Sequence, residues 1–111
     1  MHPTIQVVLL ESDKRKAAFL RESCGLGNVH VANDRMEDWA HNCDAVIARA
    51  VAPRGVLAWA VERARHFGFI GSMVDIVSLS ESSEFLRCDV AAFPWLPRAG
   101  TLWGTFHVKP L

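Results

Sequence analysis

Apolar residues fall in short blocks divided by polar, capping or glycine-bearing segments, and the blocks alternate between strand and helix periodicity. Ile5-Gln6-Val7-Val8-Leu9-Leu10 is a strand-length run that stops at Glu11. Ser12 or Asp13 can then cap a helix reaching about Cys24, with Ala17, Leu20 and Cys24 on one face and Lys14, Arg15, Arg21 and Glu22 on the other. Gly25 and Gly27 terminate it. Val29 to Ala32 is a second short strand, and Asp34 with Glu37 has the form of a capping pair for a short helix. Asp44 to Ala48 is a third strand. Pro53 suits the first turn of a helix in which Val56, Leu57, Ala60, Val61 and Ala64 recur at helical spacing as far as about His66. Gly68 ends that helix, and Phe69 to Leu79 reads as a fourth strand interrupted at Gly71. Ser80 to Ser83 is a turn or the start of a short helix through Leu86. The tail alternates from Val90 to Trp95 and again from Thr101 to Val108, which predicts a hairpin whose loop is Pro97-Arg98-Ala99-Gly100. The whole reads as one α/β domain over residues 1–111, mostly a parallel sheet with a C-terminal antiparallel hairpin.

Composition narrows the class. Half of the 111 residues are apolar, and 12 basic residues balance 12 acidic ones, which excludes a disordered, highly charged chain. The balance also gives no global electrostatic case for nucleic acid, so such a partner would have to meet a local patch. No apolar stretch approaches the roughly 18 residues that span a bilayer. Met1-His2-Pro3 does not read as a signal peptide, so the expectation is a cytoplasmic protein with no membrane partner. Cys24, Cys43 and Cys88 are odd in number and widely spaced, and they read as buried thiols. His41-x-Cys43 has no second pair nearby, and no metal is expected.

The chemistry concentrates at Glu11. A strand ending in an acid at the mouth of a helix is the second half of a nucleotide-binding crossover, where the acid takes ribose hydroxyls. The first half of such a crossover is a strand and a glycine-rich turn. Met1 stands close before the Ile5 run, so the sequence reads as a Rossmann-like cofactor domain in truncated form.

Specific residues now carry a family resemblance. Val8-Leu9-Leu10-Glu11-Ser12 is followed by Lys14-Arg15-Lys16, Phe19-Leu20-Arg21, Asn28-Val29-x-Val31 and Arg35-x-Glu37-Asp38. With Asp44-Ala45-Val46-Ile47-Ala48-Arg49-Ala50-Val51-Ala52-Pro53, this series resembles the RsmG family, also called glucose-inhibited division protein B. Members are bacterial methyltransferases that use S-adenosylmethionine to methylate N7 of a guanine in small-subunit ribosomal RNA. The resemblance covers about Thr4 to Gly71 and, loosely, the terminal hairpin. It implies a truncated Rossmann-like methyltransferase domain in which Glu11 accepts hydrogen bonds from the cofactor ribose and the Arg35-Met36-Glu37 turn lies beside the adenine. It further implies that Arg49 faces the methyl-transfer site and the ribosomal RNA. Two departures give the expectation that the chain alone is inactive. The family's first strand and glycine-rich loop have no counterpart, and the Lys-Gly pair usual at the end of the fourth strand is replaced by Ser72-Met73-Val74-Asp75.

Plainer readings stand beside these. Glu11 can simply stabilise the helix N-terminus that follows it. Arg49 can be a surface or salt-bridge residue, and Lys14-Arg15-Lys16 a solvated run. Trp39, Trp59, Trp95 and Trp103 are read as core or interface residues rather than base-stacking ones. In the methyltransferase sheet the first strand separates the Ile5 strand from the Asp44 strand. Without it, either those two strands pair with each other or another chain covers their edges, which predicts a homodimer. The alternative to the enzyme is therefore a non-catalytic interaction module that keeps the scaffold and self-associates through strand edges.

Overall fold

A computed structural model describes residues 5–23, 25, 27–49 and 52–107. The chain forms two compact units, Met1–Ala40 and His41–Leu111.

The first unit is a β-α-β crossover. Strand β1 (Val7–Leu10) leads through helix α1 (Lys14–Ser23) to β2 (Val29–Ala32), which pairs parallel with β1 from Val7↔Val29 to Leu10↔Ala32. Asp13 caps α1 as expected, its carboxylate accepting from the Arg15 and Lys16 N–H groups at 2.9 and 3.0 Å. Ala17 is fully buried on the inner face of the helix, and Val31 and Ala32 are the buried residues of β2. Lys14, Arg15 and Lys16 are all exposed. Beyond β2 the Asp34–Glu37 cap does not form. The chain instead makes one 3-10 turn, Met36–Asp38, preceded by Arg35 in extended conformation with no side-chain cap. An isolated turn closed by the Asp38 and Trp39 N–H groups is too short to use a capping box.

The second unit is a four-stranded sheet in the order β3-β4-β6-β5, with β3 (Ala45–Arg49) parallel to β4 (His66–Ser72) and the remaining pairs antiparallel. Helices α2 (Pro53–Val61) and α3 (Met73–Ser80) follow β3 and β4. Val56, Leu57 and Ala60 of α2 and Ile76 and Leu79 of α3 are buried with Phe67, Phe69, Phe85, Leu102 and Phe106 of the strands. Phe85 and Phe106 stack at 5.2 Å, with Phe67 tilted against both. This is an aromatic core of the kind that adds packing energy beyond area burial. Alternate residues of β4 and β6 face the other way. There Trp103 stacks on His66 at 5.6 Å and lies over Gly68, whose missing side chain makes room for the indole.

Three sequence expectations are corrected in this unit. The helix from Pro53 stops at Val61 instead of His66, because the Arg65 and His66 N–H groups are drawn to the Asp44 carbonyl and β4 begins there. Gly68 therefore sits inside a strand. The predicted strand from Phe69 to Leu79 is β4 up to Ser72 and helix α3 afterwards. The Ser72 hydroxyl accepts from the Asp75 N–H at 3.2 Å and starts that helix, and Ile76 and Leu79 turn to the core three residues apart. The hairpin turn is Pro94-Trp95, closed by Phe93↔Leu96, while residues 97–100 belong to β6, of which Ala99 and Gly100 pair with Ser72 and Gly71 at the end of β4. A register irregularity at Ala92/Phe93 lets Pro97 enter a strand.

Candidate functional site

The carboxyl ends of parallel strands gather side chains that strands alone could not bring together. In the first unit β1 and β2 end at the same edge, with Leu10 opposite Ala32. Glu11 stands directly past β1, and the Arg35-Met36-Glu37 turn stands past β2. The main chain at Glu11 is held firmly. Its N–H donates to the Ala32 carbonyl at 3.1 Å, while the Asn33 side-chain amide donates to the carbonyls of Glu11 and Ser12 at 2.9 and 3.2 Å. The Glu11 carboxylate itself has no hydrogen-bond or ion-pair partner among the described residues, so its acceptor capacity is unused there. Met36 is half-buried, and Arg35 and Glu37 are exposed. Asn33 was missed by sequence reasoning. Its signal is a side-chain amide placed immediately after β2, where a loop must be tied back to the neighbouring strand.

In the second unit Arg49 is the last residue of β3, opposite Ile70 of β4. It is exposed and makes no salt bridge among the described residues, which leaves its guanidinium donors available. The start of α2 and one side of α3 border a depression of about 310 Å³ lined by Ala52, Pro53, Arg54, Asp75 and Ser78 among others. Arg54 donates to the Ser78 hydroxyl at 2.7 Å across it. Ser72, the first residue of the segment read as departing from the family pattern, is the cap of α3.

The remaining candidates separate. Cys43 is exposed and Cys88 half-buried, which corrects the expectation of buried thiols; Cys24 lies outside the described residues. Cys43 falls in the segment before β3 and Cys88 on β5, which among the described residues pairs with β6 alone. Burial first, and then the Asp44 carboxylate, raise the Cys43 thiol above its ordinary value, with Arg63 opposing; burial and Asp89 raise Cys88. Trp59 carries the Arg63 guanidinium 4.9 Å from its ring centroid. Trp95, by contrast, is 77% exposed, so of the expected core or interface roles the core one does not apply to it. No cluster of three metal-ligating side chains occurs among the described residues.

Residues 1–82 match the family described as rRNA small subunit methyltransferase G, GidB, a span that includes Glu11, the Arg35-Met36-Glu37 turn and Arg49. The chain belongs to this family. Curated members agree over part of the chain. The ribosomal RNA small subunit methyltransferase G of Solibacter usitatus is 46% identical over 56 residues, 46% of this chain and 27% of that protein. Its counterpart in Rubrobacter xylanophilus is 49% identical over 65 residues, 50% of this chain and 25% of that protein. The match thus spans about a quarter of the length of these GidB relatives. Among solved structures, the 23S rRNA methyltransferase ErmE superimposes with a TM-score of 0.73 at 14% identity, covering 95% of this chain and 54% of that one. A putative RNA methyltransferase from Pyrococcus horikoshii gives 0.67 at 18% identity, covering 93% and 64%. These likenesses show the Rossmann-like methyltransferase fold for this GidB-family chain.

Proposed function

We propose that this chain serves the methylation of N7 of a guanine in small-subunit ribosomal RNA, with S-adenosylmethionine as methyl donor. The observation that carries the reading is the family match through residue 82, combined with Glu11 and the Arg35-Met36-Glu37 turn at one carboxyl edge. The donor set fits the adenosine part of that cofactor. A carboxylate whose oxygens have no partner among the described residues can accept charge-assisted bonds from two ribose hydroxyls, and a half-buried Met36 suits an apolar, flat ring. Bound there, the cofactor supplies an activated methyl group. Arg49 takes the role of orienting RNA, by bidentate hydrogen bonding to a phosphate or a guanine edge. Guanine N7 already presents a lone pair, so the residues need to position and stabilise charge, and no strong general base is required. The setting is the cytoplasm, where ribosomal RNA is found.

Self-association belongs to the same proposal. Among the described residues β1 has β2 on one side and no strand on the other, and β3 has β4 on one side only. Each open edge is a template for a further strand, and a second copy of the chain is the partner proposed.

Transfer of a labelled methyl group from S-adenosylmethionine to small-subunit ribosomal RNA tests the function. The two departures in the sequence predict no transfer by a single copy, so the expected result is N7-methylguanosine in the digested RNA from the self-associated chain, in which a second copy completes the site, reduced about tenfold or more by Arg49→Ala through loss of a positioning contact. Absence of labelled N7-methylguanosine with the unsubstituted chain would contradict it.

A further inference from the structure

The most exposed aromatic side chain of the second unit stands at the end of the sheet where Arg49 lies. Because β4 runs parallel to β3 and antiparallel to β6, the pairs Arg49↔Ile70, Ile70↔Thr101 and Ser72↔Ala99 bring the start of β6 to the carboxyl end of β3 and β4. The β5–β6 turn, Pro94-Trp95, projects from that edge. Trp95 is 77% exposed, yet it is not loose: its ring stacks on Phe93 at 5.1 Å with 11° between the planes. One indole face is fixed against Phe93 and the other is open. Pro94 and Pro97 restrict the backbone on either side. Arg98, also exposed, has no carboxylate partner among the described residues.

An open, pre-oriented aromatic face three residues along the chain from an exposed arginine fits an unpaired nucleotide. Bases of single-stranded RNA stack on such faces, and arginine takes the adjoining phosphate. We propose that the β5–β6 hairpin tip is an RNA-docking element in which a base flanking the target guanine stacks on Trp95 while Arg98 holds the backbone. The proposal rests on the RNA-methyltransferase reading, since that reading places RNA at the edge shared with Arg49. It also accounts for an exposed tryptophan that the core does not use.

The test is binding of a fluorescein-labelled, unstructured single-stranded RNA decamer containing one guanine, read by anisotropy at several salt concentrations. Trp95→Ala is expected to weaken binding about tenfold or more, and Trp95→Phe to keep most of the affinity, as sequence-tolerant stacking requires. Arg98→Ala is expected to weaken binding and lower the salt slope by about one phosphate's worth. Unchanged denaturation midpoints check that the variants fold. Equal affinity of Trp95→Ala and the unsubstituted chain, or no binding by the unsubstituted chain, overturns the proposal. So does a Trp95→Ala chain whose RNA binding is intact and whose mass in light scattering has changed, which would make the tip a protein contact. The methyl-transfer assay separates the two readings. RNA binding that depends on Trp95 without methyl transfer leaves the docking element standing and removes the enzyme; methyl transfer with an unaltered KM for RNA in Trp95→Ala does the reverse.

Discussion

At the scale of single residues, the site and the core place opposite demands on side chains. Glu11 has its main chain held by Ala32 and Asn33 while its carboxylate has no partner among the described residues, an arrangement that supports the proposed binding role. The residue type and its position were legible from the abrupt end of the Ile5–Leu10 run. The amide clamp from Asn33 was not, because it depends on a contact across 22 positions. Glycines show how little slack the second unit has. A Cβ on Gly100 would run into the Ala91 carbonyl and come 2.9 Å from Ala92 Cα, atoms of main chain that cannot move aside cheaply. Gly100→Ala is therefore expected to destabilise by about 1 to 3 kcal/mol in urea unfolding, as overpacking does. Gly55, in the first turn of α2, would place its Cβ 4.0 Å from Ala52, an ordinary contact. Gly55→Ala should stabilise by about 0.4 to 1 kcal/mol in the same measurement, by restricting the unfolded chain. The thiols give a pH prediction. Both are raised above the ordinary value of 9.0, so the folded state holds their protons more tightly than the unfolded state does. Their contribution to stability is fully present below that value and is lost as pH rises through the higher folded one. Alkylation of Cys43 and Cys88 with iodoacetamide should accordingly reach half-maximal rate at a pH above 9.0.

At the scale of elements, legibility followed how local the deciding interaction is. The β1-α1-β2 crossover is written in a nearly contiguous segment, with a strand-length run, an aspartate cap and glycines after the helix. It folds as read. Helix α3 was misread because Val74, Ile76 and Val77 favour strands, and their propensity was outweighed by the Ser72 cap and by burial of Ile76 and Leu79 on one face. Ser72→Ala should cost about 1 kcal/mol, measured by chemical denaturation, and would mark the cap as the signal that sequence periodicity lacked. The hairpin turn moved from residues 97–100 to Pro94-Trp95 because β6 pairs with β4 as far as Ala99 and with β5 again at Leu96, so that residues 97–100 are taken up in the strand. Pairing with a distant strand is invisible to a local pattern.

At the scale of the whole chain, the family was legible from two motifs at the right separation, Leu-Leu-Glu-Ser and Ala-Arg-Ala-Val-Ala-Pro, and the match through residue 82 bears it out. The open sides of β1 and β3 carry the remaining expectation. Light scattering of the purified chain should give twice the monomer mass of 12.3 kDa; a mass of 12.3 kDa at high concentration would remove self-association from the account. The central claim is that the β1–β2 carboxyl edge is a nucleoside-binding edge whose acceptor is Glu11. Calorimetric titration with S-adenosylhomocysteine tests it most directly, using the unsubstituted chain and Glu11→Ala side by side. The account predicts saturable binding that weakens about tenfold or more in Glu11→Ala, the loss of charge-assisted hydrogen bonds worth roughly 1.5 to 3 kcal/mol. No binding by the unsubstituted chain at millimolar ligand, or equal affinity in the two proteins, would contradict it.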